Sequence, residues 1–261
     1  MSSALIGFSG YVGSTLLKQR EFNSLFRSSN IGEIQNQQFD LVVCAGAPAQ
    51  KWIANREPHE DRRKIDSLIK PLQTITCKSF ILISTVDVFS DPCGVNEGDS
   101  VDESGLHPYG FNRRLLEKFV EEHFPNYLIV RLPGLVGPGL RKNVIYDFLN
   151  RNNLHSIDSR SVFQFYPMVN LWFDIATALE AGLSLVHLTS EPLSVADVAE
   201  KGFGMRFSQS QKNNPVVYDM QTKFAQIFNT QGRYQYTTRE SIQAIRAYAQ
   251  SELISAGKEK T

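Results

Sequence analysis

Gly7-Phe8-Ser9-Gly10-Tyr11-Val12-Gly13 is the stretch from which the fold is read. Ahead of it, Ala4-Leu5-Ile6 is the short apolar run of a buried parallel strand, and behind it Ser14-Thr15-Leu16-Leu17-Lys18 opens a helix. A strand, a tight turn and a helix in that order aim backbone N–H groups and the positive end of a helix dipole at one point, where a pyrophosphate can sit. Glycine is required there because a Cβ would block the approach of a phosphate, or of the helix to the strand. Ser9, Gly10, Tyr11 and Val12, between Gly7 and Gly13, are therefore the expected cofactor turn. The spacing is G-x-x-G-x-x-G rather than G-x-G-x-x-G, and an ordinary glycine-rich turn is the other reading of the same residues. The position directly after the first strand favours a dinucleotide.

The same alternation continues outward. Ser24-Leu25-Phe26 reads as a second strand, and Phe39-Asp40-Leu41-Val42-Val43-Cys44 as a buried one running into Ala45-Gly46-Ala47. Small residues at the carboxyl end of a strand leave room for a ligand across the sheet edge. Residues 52–72 carry apolar side chains at helical spacing and predict a crossover helix. Phe80-Ile81-Leu82-Ile83 is the next strand, ending in Ser84-Thr85-Val86-Asp87-Val88-Phe89; a polar loop over 90–105 follows, then a helix from His107-Pro108-Tyr109, then the strand Tyr127 to Leu132. Strands alternating with helices predict an α/β fold, a Rossmann-type doubly wound parallel sheet with helices on both faces.

Beyond residue 140 the rhythm changes. Helices are expected within 142–149, 171–185 and 234–249, an aromatic extended piece over 163–167, a last strand at Val186-His187-Leu188, and a helix capped by Ser194 with Asp197 three residues on. Residues 251–261 read as a polar tail. The expected division is a dinucleotide-binding domain over 1–140 and a small C-terminal substrate-binding lobe over 141–261, interwoven with the last elements of the sheet.

Composition narrows the function. The 261 residues include 27 Lys plus Arg and 27 Asp plus Glu, so the net charge is zero and no basic surface points to nucleic acid or an anionic membrane. The three cysteines, Cys44, Cys77 and Cys93, form no C-x-x-C pair and the five histidines show no metal-ligand spacing, so neither a disulfide framework nor a metal site is expected. No apolar run reaches spanning length and the first residues lack the sections of a secretory signal, which predicts a cytoplasmic protein.

At the end of Ser24-Leu25-Phe26, folds of this type place an acidic residue on the ribose 2′-OH when the cofactor is NAD. Here stand Arg27, Ser28 and Ser29, whose guanidinium and hydroxyls suit a 2′-phosphate and favour NADP, with NAD as the alternative. A solvated turn with an incidental arginine fits the same residues. Thr85 ends a strand at the ligand edge, and Tyr109 and Arg113 stand at i and i+4 on one helix face. A phenol titrates near ~10, so acid–base work near neutrality needs an adjacent cation. With one, Tyr109 can exchange a proton with a carbonyl/alcohol pair while Thr85 holds the substrate oxygen. A tyrosine and an arginine one turn apart are also common on solvated helices.

Together these residues resemble the short-chain dehydrogenase/reductase superfamily, specifically its extended branch of sugar-nucleotide epimerases, dehydratases and reductases. The resemblance rests on Gly7-x-x-Gly10-x-x-Gly13, Asp40 leading to Ala45-Gly46-Ala47, Ser84 to Phe89, Pro108-Tyr109-x-x-x-Arg113, Arg131-Leu132-Pro133-Gly134-Leu135-Val136-Gly137-Pro138 and Ser190-Glu191-Pro192-Leu193-Ser194. It implies Thr85 as the catalytic hydroxyl and Tyr109 as the catalytic tyrosine, with Arg113 where the family has a lysine that holds the nicotinamide ribose. It places Pro133 and Leu135 beside the nicotinamide, and Asp87, Val88, Phe89, Asn143 and Gln164 toward the substrate. The implied activity is NAD(P)-dependent reduction or epimerisation of a sugar, most readily a nucleotide-sugar, by a homodimer. Dehydratases of the branch carry a Glu after the aspartate, and Val88 stands there instead. Phe89 takes a place where the branch often has tyrosine. Arginine keeps the charge but not the shape of lysine and relays no proton, which leaves a catalytically impaired cofactor sensor or complex subunit as the alternative.

Overall fold

The computed structural model describes residues 2–252; from residue 253 on, the expected polar tail lies outside the described residues. The strands run in chain order as β1 (Ser3–Ile6), β2 (Ser24–Phe26), β3 (Gln38–Cys44), β4 (Thr76–Thr85), β5 (Cys93–Val95), β6 (Tyr127–Leu132), β7 (Gly134–Val136), β8 (Val162–Phe163), β9 (Phe165–Pro167), β10 (Leu185–His187), β11 (Leu193–Ser194) and β12 (Asp219–Met220). The α-helices are α1 (Tyr11–Gln19), α2 (Lys51–Arg56), α3 (Pro58–Leu72), α4 (Pro108–His123), α5 (Val144–Asn150), α6 (Leu171–Glu180), α7 (Val195–Asp197) and α8 (Thr238–Ser251). Two compact units result. The first gathers the chain up to Pro92 with Asn96–Leu132 and Asn170–His187; the second gathers Cys93–Val95, Pro133–Val169 and the chain from Leu188 onward.

The first unit is built on a six-stranded sheet in the order β2-β1-β3-β4-β6-β10, every pairing parallel. This is the doubly wound Rossmann-type sheet that the strand–helix alternation predicts. Parallel strands covered on both faces are apolar along their whole length, and Leu41-Val42-Val43-Cys44 and Phe80-Ile81-Leu82-Ile83 are buried at every position. Alternate side chains divide between the faces. Ala4, Ile6, Val42, Cys44, Phe80, Leu82 and Ile129 pack with Ile65, Leu68 and Leu72 of α3 and Leu116 and Val120 of α4. The intervening Leu5, Val43, Ile81 and Val130 are equally buried and alternate to the opposite face. Cys44 is a core residue as expected, and burial pushes its thiol up to about 11.

From β1 the chain steps to one side to make β2, then crosses to the other side for β3 and all later strands. That reversal creates a switch point between the carboxyl ends of β1 and β3, where open α/β sheets bind ligands. Hydrogen bonds tie the end of β1 to both neighbours: Ala45 N–H, after β3, donates to the Ile6 carbonyl at 2.9 Å, and Gly7 N–H to the Phe26 carbonyl of β2 at 2.7 Å.

Two local predictions need correction. The single crossover helix over 52–72 is two helices, because Pro58 disfavours α geometry in the residue before it and Glu57 takes φ −125°, ψ 62°. The helix expected over 171–185 stops at Glu180; the chain turns at Gly182, φ +69°, and enters β10 at Leu185.

In the second unit, β7 pairs with β9 and β5 with β12 in parallel, and β8 with β11 antiparallel. Ser194 caps α7 as expected, accepting from Asp197 N–H at 3.0 Å. Helix α8 opens with a capping box between Thr237 and Glu240.

Candidate functional site

The glycine turn at the switch point is shaped by two different demands. Gly7 has φ +84°, and a Cβ on it would stand 2.3 Å from the Ala45 carbonyl oxygen. A Cβ on Gly13 would lie 2.1 Å from the Gly7 oxygen. These two glycines let β1, β3 and α1 close on each other. Gly10 differs: its Cβ position meets only the Gly7 oxygen, at 3.4 Å, and otherwise opens outward. Gly10 is also the N-cap of α1, with no capping side chain and no acidic residue in the first turn. An uncapped helix N-terminus with an open glycine at its head fits an anion such as a pyrophosphate. Ser9 and Gly10 are exposed, and Tyr11 and Val12 half-buried.

Arg27 follows the last residue of β2 and lies beside this turn, its guanidinium carbon 5.8 Å from the centre of the Phe8 ring. Its Nε donates to Ser29 Oγ at 3.0 Å. Arg27 and Ser28 are both exposed. Ala45, Gly46 and Ala47 are half-buried at the end of β3.

A second group assembles where β4 ends. The Thr85 hydroxyl caps the short turn Val86–Val88, accepting from Asp87 N–H at 3.2 Å and donating to Asp87 Oδ2 at 3.3 Å. The other Asp87 oxygen holds Lys51 Nζ at 2.7 Å. Helix α4 begins against this turn: a Cβ on Gly110 would fall 2.0 Å from the Asp87 carbonyl oxygen, so only glycine permits the approach. His107 caps α4, its Nδ1 accepting from Gly110 N–H at 3.0 Å. Burial holds His107 below the ordinary histidine value, with Lys51 adding to the shift. Tyr109 N–H donates to Asn55 Oδ1 at 3.0 Å.

Tyr109 and Arg113 meet as their spacing predicts, with the guanidinium carbon 3.9 Å from the ring centre. The consequence for the phenol differs from expectation. Tyr109 is 8% exposed, and burial raises its pKa more strongly than Arg113 lowers it. Arg113 is itself buried in an ion pair with Asp61 and donates to the Pro48 carbonyl. Asn112 fixes the same carboxylate, donating to Asp61 Oδ2 at 2.7 Å. The Arg113 Nε is buried and has no hydrogen-bond partner among the described residues.

Behind the site lies a buried ionic network. Glu117, fully buried, accepts from Arg131 Nε at 2.9 Å and Nη2 at 2.8 Å, from Ser84 Oγ at 2.6 Å and from Arg114 Nη1 at 3.0 Å. It ties α4 to β4 and β6 immediately beneath Thr85. Val88 and Phe89, expected toward the substrate, are buried instead, Phe89 with the Arg131 guanidinium carbon 5.0 Å from its ring centre.

The remaining expected residues belong to the second unit. Gln164, expected at the substrate, is fully buried, and its amide is consumed internally: Nε2 donates to Thr189 Oγ1, Ser190 O and Met220 O at 2.7, 2.6 and 2.8 Å, while Oε1 accepts from Met220 N–H at 2.7 Å. Asn143, at φ +92°, caps α5 and donates to the Leu135 carbonyl at 2.9 Å. Pro133 is buried, and Leu135 pairs with Tyr166 between β7 and β9.

Sequence reasoning missed Lys51, Asp61 and Asn55. Lys51 follows Ala45-Gly46-Ala47 closely enough to have been included. Asp61 lies in the charged run His59-Glu60-Asp61-Arg62-Arg63-Lys64, where nothing marks which charge turns inward.

The parallel sheet, its switch point and the glycine turn define a Rossmann-type nucleotide-binding fold. Neither family models nor curated proteins match the sequence. Solved structures do match in shape. A dTDP-4-dehydrorhamnose reductase from Clostridium acetobutylicum superposes with a TM-score of 0.73 at 16% identity, over 96% of this chain and 99% of that one. The same enzyme from Bacillus anthracis, solved with NADP, gives 0.72 at 15% identity over 95% and 98%. A UDP-glucose 4-epimerase from Thermotoga maritima, solved with UDP-glucose, gives 0.65 at 15% identity over 96% and 98%. The chain thus has the fold of the extended short-chain dehydrogenases/reductases.

Proposed function

We propose that the protein is an NAD(P)-dependent oxidoreductase or epimerase acting on a carbonyl or hydroxyl of a sugar, a nucleotide-sugar in particular, with reduction of a keto-sugar favoured. One observation carries this reading: the uncapped glycine turn and the Thr85–Tyr109 cluster stand at the carboxyl ends of strands of one sheet. The neighbours from Bacillus anthracis and Thermotoga maritima, holding NADP and UDP-glucose, support it.

In this reading the α1 N-terminus at Gly10 binds the pyrophosphate, and Arg27 with Ser28 binds a 2′-phosphate. The cofactor, when bound, supplies or accepts the hydride. Thr85 orients the substrate oxygen, and Tyr109 exchanges the proton with it. Burial keeps the Tyr109 phenol protonated, which suits donation to a carbonyl, the reductive direction. The absence of a glutamate after Asp87 argues against dehydration. A second reading, a cofactor-binding protein of impaired catalysis, is favoured by the enclosure of Arg113 between Asp61 and the Pro48 carbonyl.

Calorimetric titration with NADPH and NADH tests the cofactor assignment. Wild-type protein is expected to bind NADPH, and Gly10→Trp, which fills the cradle, to abolish binding. Arg27→Ala is expected to weaken NADPH about tenfold or more and spare NADH, as loss of a charge-assisted hydrogen bond of ~1.5–3 kcal/mol implies. Equal loss for both cofactors would sink the 2′-phosphate assignment. No binding of either would leave the glycine turn a packing device. Binding without turnover across a panel of keto-sugar nucleotides would select the second reading.

A further inference from the structure

Thr85 and Tyr109 are carried by different elements, Thr85 by the end of β4 and Tyr109 by the first turn of α4. Their placement relative to each other therefore depends on where α4 lies along the sheet. The packing of Leu116 and Val120 in the core beneath α4 is apolar and non-directional, so it does not fix that position alone. Arg113 and Asn112 tie α4 to Asp61 of α3, a second helix that can move with it. The close approach of Gly110 to the Asp87 carbonyl limits how near α4 comes to the turn after β4, but it does not stop the helix from drawing away. Glu117 joins α4 to the strands themselves. One carboxylate oxygen accepts from Ser84 Oγ at 2.6 Å and Arg131 Nε at 2.9 Å. The other accepts from Arg131 Nη2 at 2.8 Å and Arg114 Nη1 at 3.0 Å. Ser84 and Arg131 are paired with each other across β4 and β6, and Ser84 is the residue before Thr85.

We propose that Glu117, Arg131 and Ser84 form the registration point of α4 on the sheet and thereby set the placement of Tyr109 relative to Thr85. This deepens the proposed function and rests on the roles it gives Thr85 and Tyr109. All three residues are buried and act through β4 and α4 rather than on a substrate, so they are positioning residues. A two-pronged contact between a guanidinium and a carboxylate fixes direction as well as distance. A buried ion pair adds little net stability compared with apolar residues of similar volume, because desolvation of the charges offsets their attraction. What the network supplies is a defined helix position. The Gly110 contact bounds the approach of α4 to the turn after β4, and the Glu117 bonds bound its withdrawal. Glu117 stands two turns beyond Tyr109, so a shift of the helix at one is carried along its axis to the other.

A double-mutant cycle read by urea unfolding tests the registration without cofactor or substrate. Gly110→Ala sets a Cβ against the Asp87 carbonyl oxygen and is expected to lower the unfolding midpoint. In the background Glu117→Met with Arg131→Met, where α4 is free to withdraw, the same substitution is expected to lower it by about half as much or less. Gly110 and Glu117 are about 10 Å apart along the helix at ~1.5 Å per residue, a separation at which unconnected sites act additively. An equal loss in both backgrounds, failure to fold in both included, would overturn the proposal. The second measurement is turnover of a keto-sugar nucleotide. The double variant is expected to lose about 10- to 100-fold in kcat, as a displacement of about 1 Å produces, with KM and NADPH affinity within about twofold of wild type. An unchanged kcat in the folded double variant would make the network a stabilising one only and would also overturn the proposal. Absence of turnover in the wild-type protein would count against the proposed function, while the urea cycle would still decide the registration.

Discussion

Replacing Glu117 by alanine is expected to lower the unfolding free energy by about 3–5 kcal/mol, the usual consequence of removing one partner from a buried ion pair. The size follows from what is left behind. Arg131 is 3% exposed and meets Glu117 through two guanidinium nitrogens at 2.9 and 2.8 Å. Its nearest other polar contact is His187 Nε2, at 3.4 Å. Without the carboxylate, a guanidinium charge stays desolvated with no counter-charge in contact, and Ser84 Oγ loses its acceptor. Arg114 suffers less, because it retains Glu121 at 2.8 Å. Urea unfolding checks the prediction. The double variant Glu117→Met with Arg131→Met is expected to be less destabilised than Glu117→Ala alone, since removing both charges removes the desolvation penalty along with the attraction. A double variant no more stable than the single one would show that the network supplies net attraction, contrary to this account.

The sheet was legible because parallel strands buried on both faces leave continuous apolar runs. Leu41 to Cys44, Phe80 to Ile83 and Tyr127 to Val130 have no competing reading, and the glycines between β1 and α1 fix the order in which strand and helix follow. The same logic failed where structure depends on one dihedral or one long-range pairing. Pro58 was visible within 52–72, but its effect falls on Glu57, and charge spacing on both sides disguised the break. Cys93–Val95 forms a strand only because residues far along the chain, Asp219 and Met220, pair with it.

In the site, spacing located Tyr109 against Arg113, since i and i+4 side chains on a helix must meet. It could not reveal that Arg113 would be held by Asp61, because that contact comes from the packing of α3 on α4. The resemblance places Gln164 toward the substrate, although nothing in its neighbours Phe163, Phe165 and Tyr166 marks that role. It serves instead to satisfy backbone groups that the second unit buries around it, since an unpaired buried carbonyl or N–H costs about 1–3 kcal/mol. Polar residues inside an apolar stretch carry this ambiguity until their hydrogen bonds are seen.

Tyr109→Phe is expected to reduce kcat/KM by about 10²–10⁴, the usual contribution of a positioned proton donor, while NADPH binding stays within about twofold of wild type. The ring remains stacked beneath Arg113, so packing is conserved and only the hydroxyl is lost. The pH profile separates this role from a structural one. Burial raises the Tyr109 pKa, so its proton is retained beyond the ~10 at which an ordinary phenol loses it. Reduction by wild-type protein is therefore expected to stay level through neutral pH and to decline only in the alkaline range, as Tyr109 ionises; the residual activity of Tyr109→Phe should lack that decline. The same shift acts on stability with a defined sign. Above ~10 the unfolded chain releases this proton before the folded one does, so the stability linked to Tyr109 is complete below that pH and is lost as pH rises through the folded value. Tyr234 and Tyr248, each pushed up to about 12 with burial as the largest cause, act in the same direction. Alkaline unfolding is consequently expected even in Tyr109→Phe, so activity has to be measured against the fraction folded at each pH. If kcat/KM of Tyr109→Phe, corrected in this way, falls within tenfold of wild type, Tyr109 is not the proton donor.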